Sequence, residues 1–125
     1  MGGDIEGPFK TTDGGQTYRR VSTGIANTSA ATAAYASRDF AYDPQNPDVV
    51  FVAGWGGVFK STDGAESWTM VLPEPPIVGD DGEAFSAVAV SPNDSNLVLT
   101  GTGNPFTNGA GTSTIHRSSD GGSTW

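Results

Sequence analysis

Residues 61–68 read STDGAESW and contain the motif that decides the fold. The same pattern occurs at residues 11–18 (TTDGGQTY) and at residues 118–125 (SSDGGSTW). Each copy has Ser or Thr, a variable residue, Asp-Gly, two variable residues, Ser or Thr, and an aromatic residue. Three copies in one short chain indicate an internal repeat, which decides how every other feature is interpreted.

A second motif repeats between the copies of the first. Residues 42–52 (YDPQNPDVVFV) align with residues 90–100 (VSPNDSNLVLT). In both, an Asp-Pro or Ser-Pro turn precedes a short apolar run, which is typical of two strands joined by a turn. The third unit is longer than the second. We place the insertion in residues 102–112, which consist of Gly, Asn, Thr, Ala, Pro and one Phe.

One repeat unit therefore predicts four antiparallel strands. Strand A covers residues 38–42, strand B residues 49–54 and strand C residues 58–61, and strand D begins at Trp68. The Asp motif is the turn between strands C and D. Its Asp can accept hydrogen bonds from nearby backbone amides, its Gly supplies a positive φ, and its aromatic residue packs between neighbouring sheets. Ala65 replaces a Gly of the motif, which predicts a slightly strained turn.

The predicted fold class is all-β, with antiparallel four-stranded blades of a β-propeller that is incomplete in this chain. Residues 1–23 are the end of one blade, residues 37–72 a complete blade, and residues 84–125 most of a third, within one partial propeller over residues 1–125. Closed propellers have about four to eight blades. We expect the remaining blades either in the same longer chain or through self-association.

Composition limits the possible functions. Among 125 residues there are 14 acidic and 6 basic residues, giving a net charge of −8. No cationic surface is available for nucleic acid or an anionic membrane, and no apolar run is long enough for membrane insertion. The chain has no cysteine, which excludes disulfides and thiolate metal sites. We expect no metal and no cofactor.

The motif resembles the Asp-box (BNR) repeat of sialidases, sortilin-like receptors, photosystem II assembly factors and the xyloglucanases of glycoside hydrolase family 74. The resemblance covers nearly the whole chain and implies a structural role for the motif residues in every blade. These residues are Thr11, Asp13, Gly15, Tyr18, Ser61, Asp63, Trp68, Ser118, Asp120, Gly122 and Trp125. It also implies that function resides at the opposite end of the blades, on the B–C and D–A connections.

Asp4 is the candidate catalytic residue. Residues 4–10 (DIEGPFK) are similar to a D-I-G-G-x-[YF]-[RK] segment in the first blade of family 74 xyloglucanases, departing from it at Glu6 and Pro8. The resemblance implies that Asp4 is the general base of an inverting hydrolysis. In such a reaction a second carboxylate donates a proton to the leaving oxygen, and in the family that partner lies in a second propeller. The alternative is a hydrogen-bonding role for Asp4 within its loop.

Four further residues are candidates for binding a ligand. Trp55 stands between glycines in a B–C connection, which suggests an exposed ring that could stack on a sugar. Asn104 and Phe106 lie in the inserted loop, and Asp81 lies in the acidic run of residues 80–83. The alternatives are packing between blades for the aromatic residues and a solvated loop for the acidic run. His116 is interpreted as a sheet residue.

Two functions remain open. The first is a blade segment of a secreted carbohydrate-active propeller, an inverting endo-glucanase or xyloglucanase acting on β-glucan, inactive as this segment alone. The second is a non-catalytic Asp-box propeller that binds proteins or glycans. Both predict a polysaccharide or glycan as a partner and an extracellular or periplasmic location.

Overall fold

The computed structural model describes residues 2–3, 7–25, 37–72, 84–103 and 113–125. These residues form ten strands in three antiparallel sheets that follow one another along the chain, and they contain no helix. It follows that no helix in these ranges could cross a membrane. The predicted all-β class is confirmed.

The strands fall into a three-stranded, a four-stranded and a three-stranded sheet. The first sheet contains β1 (Gly2–Gly3), β2 (Gly7–Lys10) and β3 (Arg19–Arg20). The second contains β4 (Ser37–Asp43), β5 (Asn46–Gly54), β6 (Gly57–Ser61) and β7 (Thr69–Leu72). The third contains β8 (Phe85–Ser91), β9 (Asp94–Thr102) and β10 (Ile115–Ser118). Each sheet pairs its strands in sequence order, as in a meander.

The second sheet has the order predicted for strands A to D, with strands slightly longer than expected. β4 and β5 remain paired to Asp43 and Asn46, so the turn between them is only two residues long. Register shifts near both ends of β4 show local bulges, which increase the twist of a sheet. The same two shifts recur between β8 and β9 in the third sheet, so the repeat extends to backbone irregularities.

The run at the centre of β5 is apolar on both faces because a neighbouring sheet covers each face. Val50 and Val52 pack with Phe59 and Trp68 on the side of the first sheet. Phe51 joins a second cluster, on the side of the third sheet, whose other buried members are Ala53, Val58, Leu72, Phe85, Val88 and Val98. A strand buried on both faces reads as a continuous apolar run without alternation. β5 is thus the middle of the core.

Trp68 connects the first and second sheets. Only 4% of its surface is exposed, and its Nε1 donates to the carbonyl oxygen of Val21 at 2.6 Å. Its backbone N donates to the carbonyl oxygen of Thr23 at 2.9 Å. Gly24 packs directly on this contact, with a φ of +85°. The aromatic residue of one turn is therefore enclosed by the chain that leaves the preceding sheet.

Two aspartates of β4 connect the second and third sheets. Asp39 accepts a hydrogen bond from the backbone N of Val88 at 3.0 Å, and Asp43 accepts one from the hydroxyl of Ser95 at 2.7 Å. The bonds from Ser95 and from the backbone of Gln45 hold the pKa of Asp43 below its usual value. These carboxylates hold one sheet against the next.

Candidate functional site

The turn between β6 and β7 is closed by one carboxylate. Asp63 Oδ1 accepts hydrogen bonds from the hydroxyl of Ser61 at 2.7 Å, the backbone N of Glu66 at 3.0 Å and the backbone N of Ser67 at 2.9 Å. Its Oδ2 accepts the hydroxyl of Ser67 at 2.6 Å. The other two turns repeat this pattern, through Asp13 with Thr11, Gln16 and Thr17, and through Asp120 with Ser118, Ser123 and Thr124.

These hydrogen bonds keep the three carboxyl groups ionised. Donation from the Thr17 hydroxyl holds the pKa of Asp13 far below its usual value, and the Ser67 hydroxyl does the same to the pKa of Asp63. Donation from the Thr124 hydroxyl lowers the pKa of Asp120 to about 2. A carboxylate with both oxygens engaged and so low a pKa is a poor general base, which leaves the turns a structural role.

We expect the free energy of unfolding to fall steeply in acid. The folded-state pKa values of these carboxyl groups lie below their unfolded values, so their contribution is complete above pH 4 and is lost as the pH falls from about 4 to about 2. The measurement is the urea midpoint, which should be flat between pH 7 and 5 and drop below pH 4. A midpoint that stayed constant down to pH 2.5 would contradict this assignment.

The third variable position of each turn requires a positive φ. Gly15 and Gly122 have φ of 91° and 85°, and Ala65 adopts 68°, the strained conformation expected from the sequence. At Gly122 an added Cβ would lie 2.8 Å from Cε1 of Phe51. Glycine is therefore required there by packing as well as by φ. The two remaining aromatic residues of the turns differ from Trp68, because Tyr18 is 49% exposed and Trp125 is half-buried.

The opposite end of the second sheet is formed by the connection between β5 and β6, which contains Trp55. Gly56, with φ 88°, makes this connection tight. Trp55 forms an antiparallel bridge with Ala84, at the start of the third sheet. Its ring is half-buried rather than fully exposed as the flanking glycines suggested, because this bridge brings the neighbouring sheet against it. Trp55 thus lies where two sheets meet at this end, hereafter the loop end.

Three further side chains accompany Trp55 at the loop end. The guanidinium of Arg38, which is exposed, lies 5.8 Å from the centroid of the Trp55 ring. The ring of His116 lies 5.8 Å from that of Phe85, at an angle of 51°. Nε1 of Trp55 and Nε2 of His116 are buried without a hydrogen-bond partner. An aromatic face, a mobile cation and unused polar atoms suit a ligand rich in hydroxyl groups.

The other predicted site residues lie outside the described residues, namely Asp4, Asp81, Asn104 and Phe106. Among the described residues there is no cluster of His, Asp and Glu that could hold a metal ion. A cavity of about 320 Å³ lies between the first and second sheets at the Asp-turn end, and exposed Tyr18 and Tyr42 border it. The sequence pointed to neither this cavity nor Arg38 as a neighbour of Trp55.

Three successive antiparallel sheets joined by Asp turns define a part of a β-propeller. Solved structures of two GH74 enzymes have the same fold over this chain. An ancestral GH74 enzyme superposes on 100% of the chain and on 15% of its own length, with a TM-score of 0.72 and 24% sequence identity. The GH74 enzyme of Niastella koreensis superposes on 98% of the chain and 18% of its own, with a TM-score of 0.67 and 22% identity.

The predicted resemblance to family 74 propellers is confirmed at the level of the fold. The chain spans less than a fifth of either structure, as those shares show. No family model and no curated protein matches the chain.

Proposed function

We propose that this chain is a segment of a secreted carbohydrate-active β-propeller, in which the loop end binds a β-glucan such as xyloglucan. The observation that carries the proposal is Trp55, a half-buried aromatic ring at the junction of two sheets, with the Arg38 guanidinium 5.8 Å from its centroid. The fold shared with two GH74 enzymes supports a carbohydrate as the ligand. The remaining blades come from the same longer chain or from self-association.

The ring of Trp55 offers an apolar surface to the face of a pyranose. Burial of the indole edge against the third sheet fixes the ring, so little side-chain entropy is lost when a sugar stacks on it. A cation over an exposed aromatic ring contributes only about 0.5–1 kcal/mol. Arg38 can therefore leave the ring at small cost and donate hydrogen bonds to sugar hydroxyl groups.

Hydrolysis requires two carboxyl groups, one to activate water and one to protonate the leaving oxygen, about 6.5–9.5 Å apart when the configuration inverts. In the proposed function Asp4 is the general base, and the general acid comes from another part of the longer protein. The carboxylates of the three Asp turns are committed to backbone amides and hydroxyl groups, as are those of Asp39 and Asp43 in β4. This supports a catalytic pair formed outside the described residues.

Affinity electrophoresis in gels containing xyloglucan tests the binding. We expect Trp55→Ala to weaken retardation about tenfold, because the stacking surface is lost. Tyr42→Ala is the matched control, since Tyr42 is an aromatic residue, 64% exposed, near the Asp-turn end. In the longer protein, Asp4→Asn should abolish hydrolysis while retardation persists.

The controls also separate the alternatives. Retardation lost in Tyr42→Ala but kept in Trp55→Ala would move the site to the Asp-turn end and refute the proposal. Retardation that depends on Trp55 in a longer protein without hydrolytic activity would favour a non-catalytic glycan-binding propeller.

A further inference from the structure

A basic residue stands three positions before the Asp of every turn motif. The three residues are Lys10, Lys60 and Arg117. In the first two copies the side chain reaches the next sheet. Lys10 Nζ donates to the carbonyl oxygen of Gly64 at 2.7 Å, and Lys60 Nζ donates to that of Gly121 at 2.7 Å. Each acceptor belongs to the Gly that follows the Asp of the next turn, so the bond repeats with the fold.

One donor and one acceptor of this series remain unused in the described part of the chain. Arg117 is exposed and has no side-chain hydrogen bond or ion pair there. The carbonyl group of Gly14, in the first turn, accepts no bond from a basic side chain. The free donor is on the third sheet and the free acceptor on the first. They are thus at opposite ends of the row of sheets.

The face of the third sheet beside Arg117 is apolar and uncovered. Leu99 is 42% exposed and Ile115 is 80% exposed, and they border an open groove of about 390 Å³. By the alignment of the repeats, Leu99 occupies the position of Phe51 and Ile115 that of Val58. In the second sheet those positions are 1% and 0% exposed, because the third sheet covers them. The groove is thus the repeat of an established interface.

We propose that this face binds the first sheet of a second copy of the chain, with Arg117 donating to the carbonyl oxygen of Gly14 in that copy. Gln16 stands in the first turn where Glu66 stands in the second. The new bond therefore needs only the carbonyl group, as between Lys60 and Gly121. Two copies related by a twofold axis use both free donors and both free acceptors. Together they place six sheets in a ring, within the range of closed propellers.

Sedimentation equilibrium of the 125-residue chain tests this interface at about 0.15 M salt, where repulsion between acidic chains is screened. We expect twice the mass of one chain at micromolar concentration. Arg117→Ala should weaken association at least tenfold, because each ring loses two charge-assisted hydrogen bonds. Arg117→Lys should preserve it, since Lys serves at positions 10 and 60. Arg20→Ala, which removes an exposed arginine outside the series, is the control.

A second variant separates docking from folding. Ile115→Asp places a charge on a side chain that is 80% exposed, so the sheet should still form while association is lost. A mass of one chain at every concentration would overturn the proposal and leave the groove to a further Asp-turn unit of a longer chain. Association unchanged by both Arg117→Ala and Ile115→Asp would overturn it equally.

Discussion

Gly24→Ala is expected to destabilise the chain by about 3–5 kcal/mol, the largest effect of any single methyl group added to it. A Cβ at this position would lie 1.9 Å from the carbonyl oxygen of Trp68 and 3.0 Å from its carbonyl carbon. Both atoms belong to the backbone, so no rotamer change can relieve the overlap. The φ of +85° adds the strain of a left-handed conformation. Urea unfolding followed by tryptophan fluorescence measures the change.

Gly14→Ala is the matched control for this prediction. Gly14 also has a positive φ, +72°, but an added Cβ would meet nothing within 4 Å. It should cost only the conformational strain, about 1–2 kcal/mol. The difference between the two variants isolates the overlap with Trp68. Equal losses would show that Gly24 is not pressed against the second sheet, and the contact between the first two sheets would need to be redrawn.

Asp63→Ala is expected to have the second largest effect and to lower Tm by about 5 °C or more. The substitution removes the acceptor of four hydrogen bonds, two of them from the backbone N–H groups of Glu66 and Ser67. Those amides then depend on water, and the turn between β6 and β7 loses its closure. Asp63→Asn should be intermediate, because an amide oxygen can still accept the backbone bonds.

The control for this substitution is Asp94→Ala. Asp94 is an exposed aspartate in the β8–β9 turn, and its side chain accepts one hydrogen bond, from the backbone N of Asn96 at 3.0 Å. Its loss should shift Tm by only a degree or two. Thermal melts followed by circular dichroism at pH 7 provide the comparison. A similar shift for Asp63→Ala and Asp94→Ala would deny the Asp turns their special structural role.

The sheets and turns could be predicted because their signals are local. The Asp-Gly spacing repeats within eight residues, and the positive φ of Ala65 follows from its alignment with glycines in the other copies. The exposure of Trp55 was overestimated, because the contact with Ala84 depends on how two sheets pack. Asp39 was missed as a link between sheets for the same reason. Periodicity shows which face of a strand is covered but not which atoms meet across the gap.

The basic residues before the turns show a signal that the sequence did contain. Their spacing to the Asp is constant in all three copies, yet a lysine on a strand normally suggests only a solvated side chain. The structure supplies the missing element, an acceptor in the next sheet. The roles of Asp4, Asp81, Asn104 and Phe106 remain predictions.

The acceptors of these cross-sheet bonds have a consequence for how the protein can diverge. Lys10 and Lys60 each bind a main-chain carbonyl group, which every amino acid carries and no point mutation removes. Only the basic side chain has to be inherited, and Lys or Arg satisfies it equally. Surrounding positions are then free to drift over evolutionary time. A repeat joined in this way can keep its geometry at the 24% identity that separates it from the ancestral GH74 enzyme.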